Sequence, residues 1–131
     1  MSVLDNKVLV RRYYEEVLNQ RRLQVFDDLA DPSFVSYLAD GRRLSSDIYK
    51  QAIAGTLTLI PDLNVTIEDQ IAEEDKVVTR WKVTGTPQAE FADIKPNGRP
   101  VTVTAIHIHR VQNGRLVEHW EAINLHAVKR D

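Results

Sequence analysis

The feature that most restricts the fold is a predicted β-hairpin between Val101 and Leu125. Two stretches of alternating side chains flank the dipeptide Asn113-Gly114. Asn-Gly between such stretches is the strongest short-range hairpin signal, because both residues tolerate the positive φ angles that a tight turn requires. The sequence therefore predicts two antiparallel strands joined by a two-residue turn.

The two-residue turn also predicts which side chains share a face of the hairpin, since side chains alternate along each strand. The pairs on one face are Val111 and Leu116, His109 and Glu118, His107 and Trp120, Ala105 and Ala122, and Val103 and Asn124. The opposite face carries Ile106, Ile108, Val117, His119, Glu121 and Ile123. Ionisable groups and an indole on the first face indicate a lined cavity. This interpretation depends on the register, because a slip of one residue would reverse the faces.

Composition indicates an ordinary globular protein. The 131 residues are 43% hydrophobic and 27% charged, which favours one domain over residues 1–131 with a core of its own. A net charge of −2 without a basic stripe argues against nucleic acid and anionic membranes as partners. No cysteine is present, which excludes disulfides and thiolate chemistry. The sequence shows no signal-peptide pattern and no long apolar run, so we expect a cytoplasmic protein.

The periodicity of apolar residues changes half-way along the chain. Helical patterns occupy residues 4–19 and 23–30, and a third helix begins after Ser45 or Ser46 and ends near residue 59. A brief strand is predicted over 34–38. After Pro61 the period becomes two, with strands over 63–71 and 77–84, and a long connection over 85–98 precedes the hairpin. Helices followed by antiparallel strands predict an α+β fold in which the helices cover one face of a sheet.

Short motifs across nearly the whole chain match a known family. They are VRRYYEEV at 10–17, PDLNVTIED at 61–69, RW at 80–81 with TGT at 84–86, PNGR at 96–99 and GRLVEHW at 114–120. The chain thus resembles the SnoaL-like polyketide cyclases of the nuclear transport factor 2-like superfamily. The resemblance implies a cone-shaped, cystatin-like fold, with a curved antiparallel sheet around about three N-terminal helices and a pocket at the wide end. Such folds host several reactions and also binding modules, so the fold alone does not name the activity.

Four positions depart from the pattern that the resemblance implies, and two of them, Tyr37 and Pro87, stand where relatives often carry histidine. Relatives often carry an aspartate four residues after the tryptophan, where cyclases place their acid/base group, and this chain has Asn124 there. His107 stands where relatives often carry an aspartate in the preceding strand, and imidazole is a natural proton shuttle at neutral pH. We therefore predict His107 as the catalytic acid/base and Asn124 as an orienting amide or enolate donor. The alternatives are a structural histidine on a half-buried face and a strand-end amide bonded to a loop.

The predicted substrate-binding residues are aromatic or lie on the same predicted face: Trp81, Trp120, Tyr14, Tyr37, His109 and Glu118. Packing in the core or contact with solvent is the alternative for each of them. His107, His109 and Glu118 could together bind a divalent metal ion. Chance clustering is the favoured interpretation of these three, so we expect neither a metal nor an organic cofactor.

The leading functional hypothesis is an enzyme that transfers protons on a small, apolar carbonyl compound. The resemblance implies an aldol cyclisation of a polyketide-like substrate or a related isomerisation. A binding module without chemistry is one alternative. An epoxide hydrolase is another, which needs a carboxylate, and Glu118 is the only one on the predicted face. The apolar outer face of the hairpin also requires a cover, which predicts a homodimer packed through this face.

Overall fold

A computed structural model describes residues 2–91, 94–124 and 129–130 of the chain, and Leu125, the predicted end of the hairpin, lies outside the described residues. The helices are α1 (Val3–Arg12), which continues as a π-helix over Tyr13–Asn19, then α2 (Leu23–Leu29) and α3 (Ser46–Leu59). The strands are β1 (Ala30–Tyr37), β2 (Arg43–Ser45), β3 (Asn64–Glu73), β4 (Lys76–Gly85), β5 (Val101–Gln112), β6 (Arg115–Ile123) and β7 (Lys129–Arg130). Among the described helices, none is long and apolar enough to cross a membrane.

The first helix begins where its sequence supplies a cap. The Ser2 side chain accepts a hydrogen bond from the Asp5 backbone, and the Asp5 carboxylate accepts one from the Ser2 backbone, which is a capping box. The helix then widens into the π-helix, whose larger turn carries one extra residue. Both Tyr13 and Tyr14 are buried in this turn, although they are adjacent in the sequence. The predicted helix over 4–19 is therefore present but changes its winding half-way.

The strands form one sheet in the order β2-β1-β6-β5-β4-β3, and β7 pairs with β5. Every pair in this sheet is antiparallel except β1 with β6, which is parallel. The helices pack on one face, where their apolar side chains and those of the sheet form the core. The predicted α+β fold with a curved antiparallel sheet around N-terminal helices is thus confirmed.

The hairpin turn lies where the sequence predicts it. Asn113 has a φ of 52° and Gly114 a φ of 74°, and Val111 pairs with Leu116 as expected. The next pair is Arg110 with Glu118, so Val117 is an extra residue and forms a β-bulge. The predicted register is therefore wrong beyond this point.

The bulge exchanges the two faces of β6 relative to the prediction. His109 lies opposite His119, and His107 lies opposite Glu121. His119 is fully buried on the helix-covered face, whereas Trp120 is only half-buried on the outer face. Side chains that the sequence analysis placed on the inner face, Glu118, Trp120 and Ala122, face outward. His119 and Glu121, which it placed on the outer face, face inward.

A second bulge occurs in β3, at the edge of the sheet. Ile67 pairs with Trp81 and Asp69 pairs with Arg80, which leaves Glu68 as an extra residue in β3. As a result Ile71 is 64% exposed instead of sharing the buried face of the strand's earlier apolar residues. Bulges bend and twist a strand, so these two shape the concave face against which the helices pack.

Candidate active site

A cavity of about 320 Å³ lies between the helices and the concave face of the sheet. Most of its wall is apolar, with contributions that include Leu18, Leu44, Ile53, Leu57, Val83 and Phe91. Five side chains with a hydroxyl, imidazole or carboxylate group also line it: Tyr13, Tyr49, Thr56, His107 and Glu121. An apolar cavity with a few convergent polar groups is typical of a small-molecule site.

His107 projects from β5 into this cavity and is only 2% exposed. Its Nδ1 atom lies 2.8 Å from the Tyr14 hydroxyl, and its Nε2 atom lies 3.3 Å from Oε1 of Glu121. Burial lowers the pKa of His107 to about 3, so the ring is neutral near pH 7. With Glu121 ionised, the arrangement that satisfies all three groups has Tyr14 donating to Nδ1 and Nε2–H donating to the carboxylate.

Glu121 supplies the carboxylate of the cavity. Its side chain is 25% exposed and its residue lies opposite His107 on β6. Burial raises the pKa of Glu121 above its ordinary value, which makes the carboxylate a better proton acceptor. The sequence analysis placed Glu121 on the outer face, because a regular register would put it there.

Tyr13 and Tyr49 bring two phenols together at the cavity wall. Their hydroxyl groups are hydrogen-bonded to each other. Burial raises the pKa of Tyr13 and of Tyr49, so both remain protonated at neutral pH. One hydroxyl proton serves the bond between them, and the other is free for a substrate oxygen. Sequence reasoning missed both residues.

Trp81 forms part of the wall beside His107. It is 6% exposed, and its ring lies 4.8 Å from the His107 ring. The buried Nε1–H has no hydrogen-bond partner in the part of the chain that the structure describes. Trp81 thus lies in the predicted cavity, where it presents an apolar surface and one available donor.

Two more histidines lie next to His107. The rings of His109 and His119 are nearly parallel with centroids 4.7 Å apart, and the His119 ring lies 4.1 Å from that of His107. Burial, and then the neighbouring histidines, lower the pKa of His109 and of His119. One ring nitrogen from each of the three lies within 4.8 Å of the others. His109, predicted to bind substrate, is therefore packed in this cluster and is not a lining residue of the cavity.

Three of the predicted substrate-binding residues lie on the outer face of the sheet. The rings of Tyr37 and Trp120 stack with centroids 5.4 Å apart. Glu118 accepts a hydrogen bond of 2.5 Å from Arg110 and one of 3.0 Å from Tyr37. The guanidinium lowers the pKa of Glu118. Glu118 does not lie near His107 and His109, since the bulge turns this carboxylate away from the histidines.

Asn124 lies beyond the end of β6 and is exposed. Its backbone N–H donates to the Thr104 carbonyl oxygen at 3.2 Å. Together with Ile106 and Ala122 it lines a groove separate from the cavity that contains His107. The structure thus does not bring Asn124 and His107 together, because the bulge shifts every later residue of β6 by one position.

The family is decided by comparison with known sequences. A sequence model described as SnoaL-like polyketide cyclase matches residues 8–131. The chain belongs to this family. No match was found among curated proteins.

Solved structures share the fold of this SnoaL-like chain. AclR from Streptomyces galilaeus, a candidate hydroxylase, is 30% identical with a TM-score of 0.83 over 95% of this chain and 92% of its own. IdmH from Streptomyces antibioticus, a candidate polyketide cyclase, is 28% identical with a TM-score of 0.81 over 91% of each chain. TsrD from Streptomyces laurentii, 22% identical over 95% of this chain and 92% of its own, has a TM-score of 0.82 and shows the fold alone. The predicted nuclear transport factor 2-like fold is therefore confirmed.

The polar groups in the cavity of this SnoaL-like chain have two different chemical roles. Glu121, held by His107, can accept a proton, and the tyrosine pair can donate one hydrogen bond. The apolar side chains that make up most of the wall lower the local dielectric constant, which strengthens both interactions. Such a set can remove a proton from carbon beside a carbonyl and stabilise the charge that develops on oxygen.

Proposed function

We propose that this protein is a proton-transfer enzyme that acts on a small, largely apolar carbonyl compound. The reaction is an aldol cyclisation or a double-bond isomerisation. The single observation that carries the proposal is the hydrogen-bonded pair of His107 and Glu121 in an apolar cavity. Proton transfer of this kind needs no organic cofactor.

The proton acceptor in this proposal is Glu121. Both ring nitrogens of His107 already have partners, Tyr14 and Glu121. The carboxylate, in contrast, is partly exposed to the cavity. Glu121 therefore contacts the substrate, whereas His107 is a positioning residue that holds one carboxylate oxygen and leaves the other for the substrate. This revises the predicted role of His107 as the group that removes the proton.

The tyrosine pair stabilises the negative charge that develops on the carbonyl oxygen of the substrate. As Glu121 removes the proton from the α-carbon, the electron pair of that C–H bond moves to the carbonyl oxygen and forms an enolate. Tyr13 and Tyr49 line the cavity, and the one hydroxyl proton that is not used in the bond between them is donated to this oxygen. The enolate carbon then either attacks a second carbonyl of the same molecule or is protonated at another position.

The side chains of the cavity wall support a particular class of substrate. Apolar side chains line most of the cavity, and Trp81 offers a flat ring next to the acid/base pair. Its volume of about 320 Å³ suits a compact molecule. Polyketide-type ketones have this character, and the likeness to IdmH supports this class.

Exchange of α-hydrogens for deuterium tests the proposal without knowledge of the natural substrate. In deuterated buffer, an apolar aromatic 1,3-diketone should lose its α-proton signal in NMR faster with the protein than without it. Glu121→Gln should reduce the protein-catalysed rate by about 10²–10⁴-fold, the usual contribution of a general base. The matched control is Glu118→Gln, the same change three residues away on the outer face, which should leave the rate unchanged. Equal rates for wild type and Glu121→Gln would refute the proposed base.

Epoxide hydrolysis is a second candidate function, and one observation favours it. Such hydrolases need a carboxylate to activate water, and Glu121 provides one inside the cavity. Incubation with apolar epoxides in ¹⁸O-labelled water distinguishes the two candidates. A labelled diol that disappears with Glu121→Gln would support hydrolysis, and exchange without diol formation supports the proton-transfer enzyme.

A further inference from the structure

The geometry points to a binding site for one divalent transition-metal ion, such as Zn²⁺ or Co²⁺, held by His107, His109 and His119. The proposal goes beyond the proposed function. It concerns a cluster that the proton-transfer scheme uses only in part.

The strand geometry places three imidazoles on one side of the sheet. His107 and His109 are two residues apart on β5, so both point to the same face. His119 is the direct cross-strand partner of His109 on β6. One nitrogen from each ring lies within 4.8 Å of the others. Three histidines that leave a fourth position open are a common ligand set for zinc.

The hydrogen-bond partners indicate which nitrogens are available. Nδ1 of His119 lies 3.1 Å from Oγ of Ser36, and the opposite nitrogen, Nε2, has no partner among the described residues. Nδ1 of His109 is likewise buried without a partner in the described part of the chain. A buried nitrogen without a partner is costly, and a metal ion would satisfy both.

The partners on the opposite nitrogens also fit a metal site. A metal-bound histidine commonly donates its other ring N–H to a protein oxygen, which fixes the ring. Ser36 lies in that position for His119, and the hydroxyl of Tyr14 lies there for His107. Nε2 of His107, 3.3 Å from the Glu121 carboxylate, is then the nitrogen left to bind the ion. This carboxylate can neutralise part of the charge of the ion and complete its coordination.

Binding requires two local changes. His109 and His119 are nearly parallel, with 19° between their planes, and a metal lies close to the plane of each ligating ring. One of these two rings must therefore rotate. The proton on Nε2 of His107 must also move to Nδ1, so that the Tyr14 hydroxyl becomes the acceptor. The ion would thereby replace the hydrogen bond between His107 and Glu121.

Titration of the protein with Co²⁺ and Zn²⁺, after dialysis against EDTA, tests the site without a substrate. We expect one ion per chain by calorimetry and the visible absorption of four-coordinate Co²⁺. His109→Gln and His119→Gln should each lower the affinity by more than about 100-fold, and Ser36→Ala, which removes an outer hydrogen bond, by about 10–100-fold. His126→Gln, which changes the one other histidine of the sequence, is the matched control and should bind like wild type.

X-ray absorption on the Zn²⁺-loaded wild type provides a measurement that does not depend on the folding of any variant. Scattering from about three imidazole rings around the ion is expected. Absence of stoichiometric uptake, uptake that survives both His109→Gln and His119→Gln, or a spectrum without imidazole scattering would each overturn the proposal. Because no turnover is measured, these results are independent of the exchange experiment on Glu121.

Discussion

His107 and Glu121 are cross-strand neighbours on β5 and β6, and Nε2 of the imidazole lies 3.3 Å from Oε1 of the carboxylate. The imidazole is almost fully buried, whereas a quarter of the Glu121 side chain is exposed. This difference in exposure divides the roles of the two residues, because the carboxylate is more accessible to a substrate than the imidazole is.

Removal of the His107 donor should lower turnover while substrate binding persists. With His107→Leu, the Glu121 carboxylate loses the N–H that orients it, and a small misplacement of a catalytic group can cost up to about 10²-fold in rate. We expect kcat of the metal-free protein in the exchange assay to fall by about that factor with little change in KM. His107→Gln retains an N–H group and should recover part of the loss. If KM rises and kcat stays unchanged, His107 instead acts mainly by contact with the substrate.

Replacement of Tyr49 by phenylalanine should weaken the stabilisation of the enolate. The variant leaves the Tyr13 hydroxyl in the cavity but removes the partner that orients it. Loss of one such donor typically lowers kcat by about 10²–10³-fold. The rate of α-hydrogen exchange measures this fall. Tyr37→Phe, the same change on the outer face, is the control and should leave the rate unchanged. Equal rates for Tyr49→Phe and wild type would remove the tyrosine pair from the mechanism.

Alkaline pH should destabilise the fold through its buried phenols. Burial raises the pKa of Tyr13, Tyr14 and Tyr49. The folded state thus holds these protons more tightly than the unfolded chain, so the stabilisation is complete below the unfolded value of about 10 and is lost as the pH rises above it. Urea midpoints measured between about pH 8 and pH 12 should stay level and then fall. Tyr49→Phe should show a smaller fall, and a midpoint that stays constant to about pH 12 would contradict the prediction.

The outer face of the sheet should pack against a second copy of the chain. Ile106 is 44% exposed there, beside the half-buried pair of Ile108 and Trp120. A charge at the centre of an apolar contact is costly, so Ile106→Glu should convert the expected dimer into a monomer. Light scattering at micromolar concentration measures the mass. Leu4→Glu, at a position 69% exposed on α1, is the control that should remain dimeric. A monomeric wild type would refute the predicted contact.

Local patterns predicted the elements of this fold well. Asn113 and Gly114 form the turn, Ser45 caps α3, and the change of period after Pro61 marks the change from helix to sheet. Each of these signals lies within a few residues of the structure that it determines. The family motifs added the curvature of the sheet, which no local pattern specifies.

The candidate site was harder to predict because it depends on one extra residue in β6. Leu116 and Val117 are consecutive, apolar and both buried, so the alternation is interrupted there. That interruption was the available signal, but strict alternation beyond the turn placed Trp120 beside His107. Glu121 and the tyrosine pair could not be brought together from sequence alone, since their contact depends on the bulge and on the winding of the first helix.

The bulge at Val117 also has a consequence for how the cavity could change among related chains. If Val117 instead entered the ladder opposite Arg110, the ladder would be regular and every later side chain of β6 would move to the other face. The indole of Trp120 would then line the cavity in place of the Glu121 carboxylate, and the His119 imidazole would leave the histidine cluster. Loss of the bulge without loss of a residue would thus remove the base and a metal ligand together, and leave a scaffold able to hold an apolar guest without altering it.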